Sequence, residues 1–293
     1  MTDNTQPTNV DENQMDIVQW QQEQKRKSKE LNSLRDKVTD EIKVDPESFE
    51  KFLSTMARLD RYSVSNALLI FKQMPNATQL KSYKEWENAG VAVRKGVKHI
   101  SIIEPVTHDG KTYYNPKAVF DVSQTTGKRP PAPTKNTNPK AVTIALLDTA
   151  PVEVESVDSF GYTDDVALYN NDTGILSVKK NVFDSVKLFE SIAIELAFAE
   201  MSVRSELYDR REMTFDAMCI ANMLCKKYGV PSERFTITEL PPAWKSMDAK
   251  GVRAELDTIR SVTSSICTRV ADELNRKQQR EQGKEPRSNG DAR

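Results

Sequence analysis

The run Thr125-Thr126-Gly127-Lys128-Arg129-Pro130-Pro131-Ala132-Pro133-Thr134 constrains the fold more than any other stretch of the chain. Prolines fix φ and lack an amide donor, and the glycine favours a turn, so neither a helix nor a strand ladder can continue through it. The run divides the 293 residues into two stretches, each long enough to close a core of its own. The domain boundary belongs there, with residues 128–138 as a Pro-rich linker.

Upstream, helices come first and a small sheet follows. Apolar residues recur at three and four positions from Met15 to about Val44 (Ile17, Val18, Trp20, Leu31, Leu34, Val38, Ile42), which predicts an amphipathic helix. A second helix starts after Asp45, with Pro46 in its first turn, and buries Phe49, Phe52, Leu53, Met56 and Leu59. A third spans Tyr62 to Met74 and stops at Pro75, and Ser82 to Gly90 makes a further helical turn or two. β-Branched residues then predict strands at His99–Glu104 and Ala118–Val122, joined by a turn around Asp109-Gly110.

Downstream, a helix from Pro139 to Leu147 precedes two strands, Val166–Tyr169 and Gly174–Lys179. Helices follow over Val182 to about Val203, Arg211 to Tyr228 with Gly229 as the stop, and Lys250 to Leu274. The ends, residues 1–13 and 275–293, lack apolar periodicity and are expected to be disordered. The fold class read from this order is α+β: a helix-rich N-terminal domain (residues 14–127) with a small antiparallel sheet, then a mostly helical domain (139–274) with a small sheet of its own.

The formal net charge of -1 conceals an uneven distribution. Residues 61–129 hold 11 Lys+Arg against 5 Asp+Glu, a net of +6, while residues 1–60 hold 9 against 13. A cationic segment in a near-neutral chain suits an anionic partner, with nucleic acid the leading candidate and a solvated basic face the alternative. Several chemistries are closed off. There are two histidines, His99 and His108, and three cysteines, Cys219, Cys225 and Cys267, without CxxC spacing, so no thiolate zinc site or disulfide framework is indicated. No Gly-rich phosphate loop or nucleophile elbow occurs, and no cofactor is expected. No apolar run reaches the roughly 18–20 residues of a membrane span, and the first twenty residues are polar and acidic, so the expected location is the cytoplasm.

Cations and aromatics interleave in the basic segment. Lys72, Lys81, Lys84, Arg94, Lys95, Lys98 and Lys111 can neutralise phosphates, and Tyr83, Tyr113 and Tyr114 are the preferred surface rings for stacking on unpaired bases, whereas Phe71, Trp86 and Phe120 sit among apolar neighbours and read as core. Gly96 permits a tight turn inside Arg94-Lys95-Gly96-Val97-Lys98, a candidate phosphate-gripping loop; a plain solvated turn is the alternative.

The blocks Tyr62-Ser63-Val64-Ser65-Asn66-Ala67-Leu68-Leu69-Ile70, Asn76-Ala77-Thr78, Tyr83-Lys84-Glu85-Trp86, Val93 to Ile102 and Val119 to Thr125, in this order and at this spacing, resemble the N-terminal domain of the antirestriction protein ArdC family. The resemblance implies single-stranded DNA as the partner, in proteins of conjugative plasmids and other mobile elements, with a restriction enzyme or a conjugation protein as a further partner and no membrane. It also implies a second domain similar to a zinc metallopeptidase, whose helix carries His-Glu-x-x-His. Here that helix reads Ile194-Glu195-Leu196-Ala197-Phe198, so neither ligand position has a lone pair, and Met218 takes the place of the third, acidic ligand, with Asp216 two residues away. The expectation is a pseudo-metallopeptidase rather than an enzyme. Two rivals stay open: an inhibitor acting on a defence enzyme by protein contact, and a hydrolase with a different site built around Glu195 and Asp216.

Overall fold

The computed structural model describes residues 10–108, 110–127, 138–161 and 163–282. The described residues separate into two compact units, one drawn from residues 10–41 and 65–127, the other from residues 42–64 and 138–282. The fold is α+β, as expected.

Unit 1 contains most of α1 (Val10–Ile42) and α3 (Val64–Gln73), the short α4 (Tyr83–Asn88), and a sheet of β1 (Leu80–Lys81), β4 (Lys111–Asp121) and β3 (Ile100–His108) in the order β1-β4-β3. All its pairings are antiparallel. A two-stranded ladder of β2 (Ala92–Val93) and β5 (Thr125–Thr126) flanks it. The β3–β4 hairpin is longer than the apolar pattern alone indicates, because backbone pairing runs on from Glu104↔Asn115 to His108↔Lys111 through residues that bury little. Leu31 of α1, Leu69 of α3 and Ile103 of β3 pack together, with Leu34 against them. Side-chain amides tie helix to sheet: Asn66 exchanges two hydrogen bonds with the Ile103 backbone and Gln73 two with that of Ser101. Helix α4 opens on a capping box, in which Ser82 accepts from the Glu85 amide while the Glu85 carboxylate accepts from Ser82. It buries Trp86, whose Nε1 donates to the Phe120 carbonyl at 2.9 Å.

Unit 2 contains α2 (Pro46–Arg58), α5 (Pro139–Asp148), α6 (Ser185–Arg204), α7 (Thr214–Tyr228) and α8 (Ala249–Gln282). Its mixed sheet is ordered β6-β8-β7, made of β6 (Glu153–Val157), β8 (Ile175–Lys179) and β7 (Ala167–Asn170). Helix α2, which the sequence reading places in the N-terminal domain, packs on α7 in this unit. The reason is lodged in residues far apart in sequence. Phe49, Phe215 and Trp244 form a cluster with centroids 5.3–5.8 Å apart, Glu50 pairs with Lys226 at 2.7 Å, and Lys227 pairs with Asp60 at 2.5 Å. The bundle core is Leu146, Phe189, Ile192, Leu196, Ile220, Leu224, Leu256, Ile259 and Ile266, all buried. Gly229 ends α7 in the left-handed conformation at φ 71°, as its position predicts.

Two helix ends and one strand depart most from expectation. Helix α1 is already formed at Val10, and α8 continues to Gln282, past Leu274. Good helix formers fill that extension, and Lys277 pairs with Asp148 at 2.6 Å, so helix persists without an apolar stripe. Strand β6 was not anticipated: it is an edge strand of sequence Glu-Val-Glu-Ser-Val with little burial, held by parallel pairing to β8 and a Ser177–Glu155 hydrogen bond of 2.7 Å. The expected linker falls almost wholly outside the described residues.

Candidate nucleic-acid interface

In unit 1 the organising group is Asp121, a carboxylate buried at the end of β4. Its Oδ2 accepts the amides of Thr78 and Gln79 at 2.7 and 3.0 Å, and its Oδ1 accepts that of Ser123 at 2.9 Å. Burial by itself would raise the Asp121 pKa, but these donors outweigh it and hold the carboxyl below the usual range. The fixed turn that follows anchors the cationic loop. Arg94 donates its amide to the Gln124 carbonyl at 2.9 Å and Nη2 to the Ser123 carbonyl at 2.8 Å, while Gln124 Nε2 donates to the Lys98 carbonyl at 2.7 Å. Between these tethers the chain turns at Gly96, φ 81°, leaving the side chains of Arg94, Lys95 and Lys98 exposed.

Beside the loop lies an aromatic group that sequence reasoning only partly found. Phe120 is half-buried rather than core. Tyr83 meets it edge-on at 6.5 Å and His99 meets it edge-on at 6.3 Å. Tyr83 is 58% exposed, and His99, which carried no role in the sequence reading, is exposed as well. Its strand-entry position beside Lys98 was the one signal for it. Lys81 is the cross-strand partner of Phe120 and sets its ammonium 5.0 Å from the Trp86 ring centre. Lys84 follows Tyr83 on the exposed side of α4, and among the described residues Lys84, Lys95 and Lys98 have no carboxylate partner. Exposed rings flanked by unneutralised cations are what an unpaired, phosphate-linked strand of bases requires.

The remaining candidates lie elsewhere. Lys72 pairs with Glu41 at 2.7 Å, so its charge is largely matched. Tyr113 and Tyr114 are both exposed, but neighbours on one strand point to opposite faces, and they stand on the distal half of the hairpin, paired with Val106 and Pro105. The Lys111 side chain lies outside the described residues.

In unit 2, Glu195 is buried at 6% exposure and fully engaged. Its Oε2 accepts the Tyr169 amide at 2.8 Å and its Oε1 accepts Arg210 Nη2 at 2.5 Å. The same guanidinium lies 3.8 Å from the centre of the Phe198 ring, so Arg210 is held by a carboxylate and an aromatic face at once. Sequence reasoning missed Arg210, whose loop position between α6 and α7 carries no pattern. Asp216 is not drawn into this group; the charge beside it is Glu255. Among the described residues no three His, Cys, Asp or Glu converge as metal ligands. Burial pushes the thiol of Cys219 well up and those of Cys225 and Cys267 to about 12, so all three are packed, protonated thiols.

Burial, reinforced by Glu255, raises the Asp216 pKa to about 7. A carboxyl with a raised folded-state pKa binds more protons folded than unfolded between about pH 4 and 7, so its contribution to stability falls as pH rises through that window. Asp216→Asn is therefore expected to match the parent near pH 4 and to exceed it by roughly 2–4 kcal/mol at pH 8 in urea denaturation. An identical pH dependence in the two proteins would contradict this environment.

Residues 21–150 match a family model described as the N-terminal domain of anti-restriction factor ArdC. Two solved structures are similar in fold. One is the metal-free crystal structure of the antirestriction ArdC protein from R388 plasmid, at 16% identity and a TM-score of 0.53 over 82% of this chain and 98% of that one. The other is the Mn(II)-bound structure of that protein, at 14% identity and a TM-score of 0.51 over 82% of this chain and 97% of that one. No curated protein sequence matches.

Proposed function

We propose, from the match of residues 21–150 to the model of ArdC N-terminal domains, that this chain is an antirestriction protein that binds single-stranded DNA through the Tyr83–Phe120–His99 surface of unit 1. The observation that carries the reading is the juxtaposition of those rings with Lys81 of β1, Lys84 of α4, and Arg94, Lys95 and Lys98 on a loop fixed by Asp121 and Gln124. Stacking is sequence-tolerant because every base has a π-face, and the cations follow the backbone, so the site favours unpaired strands without a strong base preference. Such a protein would protect or accompany a single strand entering a cell during transfer of a mobile element, in the cytoplasm.

Unit 2 serves this role without peptidase chemistry. Ile194 and Phe198 offer no lone pair to a metal, and Glu195 is spent on Arg210 and Tyr169, so these residues do not fit a divalent metal ion. No hydrolytic step is assigned to Glu195.

The test is fluorescence anisotropy with a labelled single-stranded oligonucleotide, duplex competitor and a salt series. The proposal expects preference for the single strand and a log–log salt slope of about -0.7 per phosphate contacted. Absence of binding at low salt would leave inhibition of a defence enzyme by protein contact as the better reading.

A further inference from the structure

Unit 2 has a second cationic feature, remote in chemistry from Glu195. The last turn of α6 and one face of α8 line a shallow, open cavity of about 380 Å³ with no apolar residue in its lining. Residues 260, 261, 264, 265, 268 and 269 recur at three- and four-residue spacing, which aligns them along one side of α8, and Arg204 of α6 faces them. Three guanidinium groups, of Arg204, Arg260 and Arg269, thus share one concavity with four hydroxyl side chains.

The charges are not balanced. Glu200, buried beneath, pairs with Arg204 at 2.7 Å and Arg269 at 2.6 Å, one carboxylate for two cations. Burial alone would raise its pKa, and the two guanidinium groups overcome that and lower it, so it stays ionised. The forks are also held in place: Arg204 Nη1 donates to Ser261 at 3.2 Å, Arg269 Nη1 to Ser265 at 2.8 Å, and Arg269 Nε to the Thr149 carbonyl at 3.0 Å. Arg260 differs. Its Nε is enclosed without a hydrogen-bond partner, and Asp257 Oδ1 at 3.7 Å is beyond hydrogen-bond reach.

We propose that this cavity binds a phosphomonoester dianion. Donors from three planar forks and from hydroxyl groups suit a tetrahedral group with three terminal oxygens better than a carboxylate with two. Three cations against two carboxylates leave a net charge of +1, which draws an anion to the site. The lining has no ring on which a base could stack, so recognition is of the phosphoryl group itself. The group can come from a small phosphorylated molecule or from the 5′ end of a DNA strand; the second source alone rests on the DNA-binding reading above.

The probes are inorganic phosphate and glycerol 3-phosphate, titrated calorimetrically into the full chain at constant ionic strength, with chloride as reference. Arg204 and Arg269 also neutralise Glu200, so the diagnostic variant is Arg260→Gln, which leaves that network intact; Ser264→Ala is a second variant. The intact protein is expected to bind both anions, and Arg260→Gln to bind at least about tenfold more weakly with an unchanged melting temperature in chloride. Binding no different from chloride, or equal binding by the variant, overturns the proposal. Oligonucleotides with a 5′-phosphate or a 5′-hydroxyl then separate the sources. Tighter binding of the phosphorylated strand by the intact protein, and not by Arg260→Gln, assigns the strand end, while equal binding assigns the small molecule. A chain that binds no DNA would still give the phosphate titration.

Discussion

Replacing Arg210 with alanine is expected to cost unit 2 about 2–3 kcal/mol, because it leaves Glu195 buried with the Tyr169 amide as its remaining donor. Removing one partner of a buried pair costs about 3–5 kcal/mol, and the lower figure here reflects the 39% exposure of the Arg210 side chain. The loss also includes the cation–aromatic contact with Phe198. Two further variants isolate the cause. Glu195→Gln retains an acceptor for the Tyr169 amide and is expected to cost less than Arg210→Ala. The double variant Glu195→Gln with Arg210→Ala removes both charges while keeping an acceptor for the Tyr169 amide, and should recover part of the stability, since the cost of Arg210→Ala lies chiefly in the unpaired buried carboxylate. Urea denaturation of the four proteins completes the cycle. An Arg210→Ala variant as stable as the parent would mean that Glu195 is not held by this pair, and would reopen a chemical role for it.

The second large effect concerns DNA. Tyr83→Ala should weaken single-strand binding by about 1–3 kcal/mol, roughly 5- to 150-fold, if one base stacks on this ring. Its exposure at the start of α4 means that the fold should tolerate the change. Changing Arg94, Lys95 and Lys98 together to alanine acts on a different quantity. Each lost phosphate contact flattens the salt slope by about 0.7, so the triple variant should flatten it by about 2 while leaving base preference unaltered. Tyr113→Ala and Tyr114→Ala are expected to have smaller effects, because these rings lie on opposite faces of the hairpin, away from the cationic loop. An undiminished affinity in Tyr83→Ala, with loss in the hairpin variants, would move the interface to the hairpin.

Local chemistry explains what could be read before the structure was known. Asp45-Pro46 announces the start of α2, Gly96 the turn of the cationic loop and Gly229 the end of α7, each through a constraint acting within a few residues. The outcomes that sequence did not disclose depend on contacts between distant segments. Nothing near Glu50 indicates that Lys226 and Asn222 will neutralise and cap it, so the packing of α2 in unit 2 was hidden. Glu195 stood out through the motif position, but its partner Arg210 sits in an unpatterned loop. Phe120 looked like core because its strand neighbours are apolar, yet a strand end exposes part of the ring to Tyr83 and His99. The cavity with Arg204, Arg260 and Arg269 requires two helices more than fifty residues apart in sequence to come together.

The most direct test of the account is photo-crosslinking of a halogenated single-stranded oligonucleotide to the full chain, with the attachment sites located by mass spectrometry. Crosslinks at Tyr83 and His99, suppressed by excess unlabelled single strand and by high salt, are the predicted result. Crosslinks confined to the β3–β4 hairpin or to unit 2, with Tyr83 and His99 unlabelled, would contradict it.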